Sequence, residues 1–207
     1  MRTTKNILFF DILCFIILAG CTTKPAKTIE NIKHGIIIET TASDKYTAFA
    51  KQARAEGLDT IANLFDAASK SEAIHASNHK AVLTSLKQVM DEFVPEFNVR
   101  LTAQNLQEAI DGETNEVNSM YPLFLKDAKS KRIKKETIQS LTWALETEKK
   151  HVAMFKKALE GIKSKKTYNL PFEFEICSVC GNTFDGMNLP DSCEFCGNRK
   201  ELFLKLK

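Results

Sequence analysis

The sequence predicts an all-α four-helix bundle with one long crossover, followed by a small metal-bound module of strands and loops. Apolar residues recur with helical spacing from Glu39 to Ile162, which predicts long amphipathic helices. The 207 residues include 8 Gly and 5 Pro, too few for a chain rich in β-turns. Four of the 6 cysteines follow residue 176, in a segment short of helix signals. These observations separate a helical domain from a small C-terminal metal site.

The first twenty residues have the layout of a secretory signal peptide. Arg2 and Lys5 form a basic start, and an apolar run follows at residues 7–18. The run is too short for a comfortable transmembrane span. The sequence Leu-Ala-Gly-Cys ending at Cys21 resembles a bacterial lipobox, in which the cysteine is lipidated and becomes the first mature residue. We therefore expect an exported lipoprotein anchored in the membrane of the cell envelope. An unprocessed chain would be cytoplasmic.

The remaining elements follow from helical patterning and its breaks. Residues 21–38 read as a tether and a short helix capped by Thr28, and residues 39–163 as the bundle. The four bundle helices are predicted at about Glu39–Glu56, Leu58–Val89, Thr102–Lys129 and Lys134–Ile162. Short turns make each consecutive pair an antiparallel hairpin, and the longer second connection crosses the bundle. A polar linker over residues 164–171 leads to the C-terminal module over residues 172–207.

Composition narrows the range of functions. Hydrophobic residues make up 43% and charged residues 27%, which is ordinary for a globular protein and excludes extensive disorder. The formal net charge of +3 supports no nucleic-acid partner. No Gly-x-Gly-x-x-Gly or Walker loop occurs, so no nicotinamide, flavin or nucleotide site is predicted.

Five glutamates and two histidines stand on the apolar stripes of the four helices. They are Glu39, Glu72, His75, Glu113, Glu116, Glu148 and His151. Burying carboxylates is costly unless they are paired, and no lysine or arginine occupies these stripes. Two divalent cations would supply the missing charge. A glutamate precedes each Glu-x-x-His motif by 33 or 35 residues, the ligand pattern of di-iron and di-manganese carboxylate bundles. Iron and manganese both suit these ligands.

The C-terminal module contains two Cys-x-x-Cys pairs. Cys177 and Cys180 form the first pair, and Cys193 and Cys196 the second. Two such pairs can place four thiolates tetrahedrally around one metal ion. A glycine follows each pair and permits the positive φ that turns backbone N–H groups toward the sulfurs. A one-electron iron centre, a structural zinc ribbon and two disulfides all fit this pattern, and iron is ranked first.

From about Thr28 to the C-terminus, the chain resembles a rubrerythrin. The resemblance rests on Glu39 with Tyr46, Glu72-Ala-Ile-His75, Glu113-Thr-Asn-Glu116, Met120-Tyr121-Pro122, Glu148-Lys-Lys-His151 and the paired cysteines. It implies a ferritin-like bundle with a di-iron site, followed by a rubredoxin-like module with one iron, or zinc, on four cysteines.

The resemblance also implies how the irons are held. Glu72 and Glu148 would bridge the two irons. Glu39 would bind one iron, while Glu113 and His151 would bind the other.

Several further residues complete the implied site. The first iron would exchange Glu116 for His75 when the pair is reduced. Tyr46 and Tyr121 would orient carboxylates by hydrogen bonds. His79 departs from expectation, because an aliphatic residue is expected at its stripe position. It is read as a hydrogen-bonded core histidine that could modulate its neighbour one turn away.

The implied activity is a peroxidase that takes part in oxidative stress defence. Rubrerythrins reduce hydrogen peroxide to water with electrons that pass from the rubredoxin-like iron to the di-iron pair. The electrons would come from an unidentified donor protein, and the chain would form a homodimer with electron transfer between subunits. The alternatives are a ferroxidase or iron-handling protein with a structural zinc ribbon, and a scaffold protein with a degenerate bundle.

Overall fold

A computed structural model describes residues 25–130, 133–187 and 189–206. The predicted signal peptide and the lipidation site Cys21 lie outside these ranges. No helix within them combines the length and the apolar character that a membrane crossing requires.

A helical bundle followed by a small sheet confirms the predicted fold class. The helices are α1 (Ala26–Ala55), α2 (Asp59–Ser85), α3 (Thr102–Asn115), α4 (Tyr121–Ser130) and α5 (Lys135–Lys163). A π-helical turn over Glu116–Met120 joins α3 to α4, so that these three segments form the third helix of the bundle. The long connection from α2 to α3 has no regular structure and makes the crossover.

The first helix corrects one prediction. The short helix expected before residue 39 is not separate, because α1 runs without a break from Ala26. Ile29, Ile32 and Ile36 are buried and extend the apolar stripe one way along the same helix. Thr28 is also wrong as the cap, since it lies inside the helix behind the N-cap residue Pro25.

The π-helical turn was not predicted either. The sequence pattern places Val117 and Met120 on the buried stripe with Glu116 beside it; the structure buries Glu116 and Met120 but leaves Val117 half-buried. A π-helical turn inserts an extra residue into the helix and changes which side chains face inward. The turn therefore sets how the residues of α4 that follow it, beginning with Tyr121, are oriented relative to Glu113 and Glu116.

Two apolar clusters lie on either side of the predicted glutamate and histidine ligands. One contains Tyr46, Phe49, Phe65 and Phe155, whose ring centroids are 5.4 to 6.1 Å apart. The other is built from α1, α2, α4 and α5 around the buried rings of Tyr121 and Phe124. The clusters hold the four helices together at both ends of the polar layer.

The C-terminal segment, here called the cysteine module, covers residues 172–206. Its strands β1 (Phe174–Cys177), β2 (Thr183–Asp185) and β3 (Phe203–Lys205) form an antiparallel sheet in the order β2-β1-β3. The module packs against the bundle of its own chain: the indole N–H of Trp143 donates to the carbonyl of Phe195 at 3.2 Å.

The path of the linker contradicts the sequence reasoning about assembly. From its length, an eight-residue linker has to lie nearly extended to return the module to its own bundle, which favours contact across a dimer. Instead, the linker includes a 3-10 turn at Thr167–Asn169, and the Asn63 side chain of α2 donates to the carbonyl of Phe172 at 2.8 Å. Contact between the module and a bundle therefore needs no second chain.

Candidate metal centre

The predicted bundle ligands meet in one buried layer. α1 supplies Glu39, α2 supplies Glu72 and His75, α3 supplies Glu113, and α5 supplies Glu148 and His151. Each of these side chains is at most 1% exposed. Their spacing of three residues within each Glu-x-x-His motif places glutamate and histidine on the same helix face.

Two glutamates each span both histidines. The Oε2 and Oε1 atoms of Glu72 lie 2.9 Å from Nδ1 of His75 and 3.0 Å from Nδ1 of His151. The Oε1 and Oε2 atoms of Glu148 lie 2.9 Å and 2.8 Å from the same two nitrogens. This is the arrangement that two bridging carboxylates would have between two metal ions.

The other two glutamates sit at opposite ends of this pair. Oε2 of Glu39 is 3.7 Å from Nδ1 of His75, and Oε1 of Glu113 is 3.9 Å from Nδ1 of His151. Two ligand groups result, within each of which the donor atoms lie within 4.8 Å of one another. The groups are Glu39, Glu72, His75 and Glu148, and Glu72, Glu113, Glu148 and His151.

The donor atoms are arranged to bind metal ions rather than to form hydrogen bonds with one another. Both oxygens of Glu148, Oε1 of Glu72, Oε2 of Glu113 and Nδ1 of His151 are buried, and within the described residues their short contacts lack the angles of a hydrogen bond. Buried polar atoms are rarely left in this state. Their lone pairs converge on shared points, and carboxylate and imidazole ligands suit iron. The site therefore fits two iron ions.

The electrostatics of the metal-free layer point the same way. Burial raises the pKa of Glu39 to about 8 and raises the pKa of Glu113 well above its ordinary value. Burial alone lowers the pKa of both histidines, but Glu148 beside His75 and Glu72 beside His151 raise both well above the ordinary value. In the absence of metal, bound protons partly neutralise the negative charge of the buried glutamates. Metal cations would replace these protons.

Glu116 stands apart from the two ligand groups. It is 8% exposed and borders a groove that is open to solvent between α1, the crossover and the π-helical turn. His34, Lys45 and Met120 line the same groove. Burial raises the pKa of Glu116 well above its ordinary value. The sequence placed this carboxylate at the site, and the structure places it on the wall of the solvent groove, three residues from the ligand Glu113.

Both predicted tyrosines hold glutamates. The Tyr46 hydroxyl donates to Oε1 of Glu113 at 2.6 Å, and the Tyr121 hydroxyl donates to Oε1 of Glu39. Each phenol leaves the second oxygen of its glutamate free to face the metal position.

His79 extends the contact between Tyr121 and Glu39 into a chain of hydrogen bonds. The sequence predicted a hydrogen-bonded core histidine at this position but not its partners. Because Tyr121 donates to a carboxylate, its oxygen accepts from Nε2 of His79 at 3.0 Å. Nδ1 of His79 then accepts from the Ser140 hydroxyl at 2.7 Å. Burial lowers the pKa of His79 to about 3, so the ring is neutral. The space for the ring comes from Gly35, where a Cβ would lie 2.9 Å from Cδ2 of His79.

The four cysteines form the second candidate site. Their sulfurs lie within 4.8 Å of one another, and the closest pairs are Cys177 with Cys196 at 3.4 Å and Cys180 with Cys193 at 3.5 Å. A disulfide requires about 2.05 Å, so the disulfide alternative is wrong for this structure. Four converging thiols fit one iron or zinc ion.

The cysteine module docks directly onto the two histidines, which the sequence did not reveal. Gly181 has a φ of +83°, and a Cβ there would lie 2.5 Å from Nε2 of His75. The Ser71 hydroxyl donates to the carbonyl of Gly181 at 2.7 Å. Nε2 of His151 lies 2.9 Å from the hydroxyl oxygen of Thr183. The glycine after Cys180 was readable as a turn residue, but its contact partner depends on docking.

Comparison with known proteins gives consistent results. The sequence profile of the rubrerythrin family matches residues 30–159. The chain is 33% identical to Rubrerythrin-2 of Clostridium acetobutylicum over 183 residues, covering 87% of this chain and 97% of that protein. It is 30% identical to nigerythrin of Nitratidesulfovibrio vulgaris over 202 residues, covering 97% and 95%. The structure of fully reduced, all-ferrous nigerythrin superposes with a TM-score of 0.77 at 30% identity, covering 86% of each chain.

Proposed function

Because this chain belongs to the rubrerythrin family, we propose that it reduces hydrogen peroxide to water at a di-iron centre, in defence against oxidative stress. One observation supports this above the others: Glu72 and Glu148 each span both histidines, and the cysteine module rests on those same histidines. An unidentified donor protein delivers electrons to the four-cysteine iron, and the contact between Gly181 and His75 carries them into the bundle.

The residues of the chain divide the work of the di-iron site. The six residues that form the two ligand groups hold the metals, and Tyr46 and Tyr121 fix the outer carboxylates by donating their hydroxyls. Ferrous ions bound there would supply two electrons and Lewis acidity for cleavage of the O–O bond. The six side chains are at most 1% exposed, so bulk water would be excluded from the metal positions.

Glu116 is proposed as the residue that meets peroxide. Peroxide reduction consumes two protons as well as two electrons. We assign Glu116 as a proton donor because its carboxyl borders the solvent groove and because burial raises its pKa in the metal-free protein. Exchange of Glu116 with His75 on reduction, which the resemblance implies, remains a prediction.

Metal analysis of anaerobically purified protein, together with anaerobic peroxide consumption, tests the proposal. Three irons per chain and rapid peroxide consumption by the reduced protein are expected. Two irons with one zinc, and oxidation of added ferrous iron in place of peroxide consumption, would indicate the ferroxidase with a zinc ribbon instead.

A mutation series tests the ligand assignment. Glu72→Ala or Glu148→Ala should abolish both bundle irons and leave the cysteine iron in place, because a bridging carboxylate serves two ions. Glu160→Ala, an exposed glutamate on the same helix α5, is the matched control and should keep all three. Retention of two bundle irons in either bridging variant would contradict the assignment.

The homodimer remains a prediction, and the route of the electron needs its own test. Since the cysteine module contacts its own bundle, we infer that transfer occurs within one chain. A mixture of Cys177→Ser and Glu72→Ala chains should then stay inactive after confirmed exchange of subunits. Recovery of peroxidase activity would mean that the electron crosses between chains.

Export and lipid attachment at Cys21 are proposed on the sequence alone. A lipid on Cys21 would place the bundle close to the membrane surface, since α1 begins at Ala26. Mass spectrometry and membrane fractionation in the native host test this. A soluble, unmodified chain beginning at Met1 would refute it.

A further inference from the structure

Lys150 connects the bundle to the cysteine module. It follows a bridging glutamate by two residues on α5, but its side chain leaves the bundle and is 29% exposed. Its Nζ donates to Oδ1 of Asn182 at 2.7 Å and to Oε1 of Glu194 at 3.1 Å. The same ammonium lies 4.5 Å from the ring centroid of Phe184 and 5.5 Å from that of Phe195. These contacts hold one positive charge of the bundle in a fixed place against the module.

Asn182 connects the ammonium of Lys150 to the sulfur of Cys193. Its side chain is fully buried, and because Oδ1 accepts from Lys150, its Nδ2 faces Sγ of Cys193 at 3.5 Å. A cation that bonds to the amide oxygen polarises the amide and strengthens the hydrogen bond that its N–H donates. The ammonium, the amide and the sulfur therefore form one directed chain.

The cysteine module contains a second contact between an asparagine and a cysteine, with which this chain of hydrogen bonds can be compared. Residues 177–182 and 193–198 repeat the pattern Cys-x-x-Cys-Gly-Asn. In each half the asparagine side chain reaches the first cysteine of the other half, since Asn198 Nδ2 faces Sγ of Cys177 at 3.6 Å. Asn198 differs in its second contact, which is the exposed Ser178 hydroxyl at 3.3 Å rather than a cation. Among the described residues, Lys150 of the bundle thus contacts the asparagine of the first Cys-x-x-Cys-Gly-Asn segment and not that of the second.

We propose that Lys150 couples the reduction state of the four-cysteine iron to the docking of the module on the bundle. This rests on the proposed function, which places iron at the cysteines. Adding an electron to that site adds one negative charge, so a nearby cation and a strengthened N–H···S bond stabilise the reduced form. Lys150 therefore raises the reduction potential of the docked module.

Thermodynamic reciprocity gives the second half of the proposal. If docking favours reduction by a given factor, reduction favours docking by the same factor. The reduced module is held against His75 and His151, and the oxidised module is released more readily toward its electron donor. Glu194 limits the effect, because its carboxylate neutralises part of the ammonium charge at 3.1 Å.

The reduction potential of the iron-reconstituted full chain is the first test. Lys150→Met should lower the potential by an amount that corresponds to about tenfold in the one-electron equilibrium constant, or about 59 mV. Lys149→Met is the matched control: it removes the same charge one residue away, from a side chain that is 47% exposed and paired with Glu146. A potential that is unchanged in Lys150→Met, or lowered equally in both variants, would overturn the proposal.

The two asparagines test the route. In an Asn182→Ser background, Lys150→Met should lower the potential by much less than in the natural chain. In an Asn198→Ser background it should keep its full effect. Equal effects in both backgrounds would show that Lys150 does not act through Asn182.

Docking is measured separately, by the rate at which a protease cuts the linker at residues 164–171. Reduction of the cysteine iron should slow cleavage in the natural chain and in Lys149→Met, and this difference should shrink in Lys150→Met. If the oxidised and the reduced natural chain are cleaved at the same rate, the coupling is refuted. Because neither measurement involves peroxide, both can succeed even if the proposed peroxidase activity fails.

Discussion

Removal of the metals should make this protein less stable as the pH rises, which is the reverse of what paired surface carboxylates produce. Burial raises the pKa of Glu39 to about 8 and raises the pKa of Glu113 and Glu116 well above the ordinary value of 4.5. The folded state then retains protons that the unfolded state releases above pH 4.5. Stability is therefore present at low pH and is lost as the pH rises toward the pKa values of the folded state.

The other titrating ligands do not reverse this sign. The raised pKa of His75 and His151 also stabilises the folded state below the ordinary histidine value and is lost at higher pH. Burial alone raises the pKa of Glu72, but His151 and then His75 lower it below the ordinary value. The titration of Glu72 therefore changes stability only below pH 4.5, outside the range of pH 5.5 to 8.5. Between pH 5.5 and 8.5 the contributions of these ligands therefore act in one direction. Two other groups act the opposite way, because burial lowers the pKa of His79 to about 3 and a hydrogen bond with Cys180 lowers the pKa of Cys177 to about 4. The three glutamates and two histidines outnumber these two groups, so the net stability still falls as the pH rises.

The effect of one residue alone is large. For Glu39, the difference between a pKa of about 8 and the ordinary 4.5 corresponds to about 5 kcal/mol above pH 8. Domains are commonly stable by about 5 to 15 kcal/mol in total. The metal-free protein should therefore approach unfolding at mildly alkaline pH, while bound metal removes this sensitivity by binding the deprotonated ligands.

Urea unfolding followed by circular dichroism, with chelator or with ferrous iron, measures this between pH 5.5 and 8.5. The midpoint of the metal-free protein should fall across the window, and that of the loaded protein should not. Glu39→Gln should flatten the metal-free curve because a neutral amide replaces a titrating acid. The exposed Glu160→Gln is the control. A metal-free midpoint that stays constant or rises with pH would refute the reasoning.

Two glycine comparisons test close contacts. Gly35→Ala should destabilise the fold by about 1 to 2 kcal/mol, because its methyl meets the hydrogen-bonded imidazole at 2.9 Å, whereas Gly112→Ala, with open space around it, should stabilise the helix by about 0.5 to 1 kcal/mol. Thermal unfolding of the two variants measures this, and equal effects would contradict the packing argument. Gly181→Ala and Gly197→Ala share the strain of a positive φ, but only the former meets the bundle among the described residues. The former alone should slow electron transfer into the di-iron site in stopped-flow reduction, and similar rates in both would remove the contact with His75 from the proposed route.

The position of the metal layer was predictable because it breaks a strong local rule. Glutamate and histidine at stripe positions of an apolar helix stand out in sequence, since burying them without compensation is costly. Tyr46 and Tyr121 were found by family resemblance, and the structure places both against glutamates. The packing of four helices follows from the same stripes.

Contacts that depend on docking could not be predicted in this way. Lys150 reads in sequence as one of two lysines on the solvent side of a Glu-Lys-Lys-His motif, and nothing local distinguishes it from Lys149. The partners of His79 come from α4 and α5, so its hydrogen bonds exist only once those helices are packed. Tertiary contacts over long sequence distances carry this information, and hydrophobic periodicity does not contain it.

The five-residue π-helical turn ties two functional groups together through helix phase. An α-helix advances by about 100° per residue, so deleting one residue between Glu116 and Met120 would rotate all of α4 by that angle relative to α3. Tyr121 would swing away from Glu39, whereas Glu116, which precedes the deletion, would keep its position relative to Glu113 on α3. A single codon deletion would thus remove the hydroxyl that holds the first ligand while leaving the solvent-side carboxylate in place, so the length of this turn sets the position of one group relative to the other.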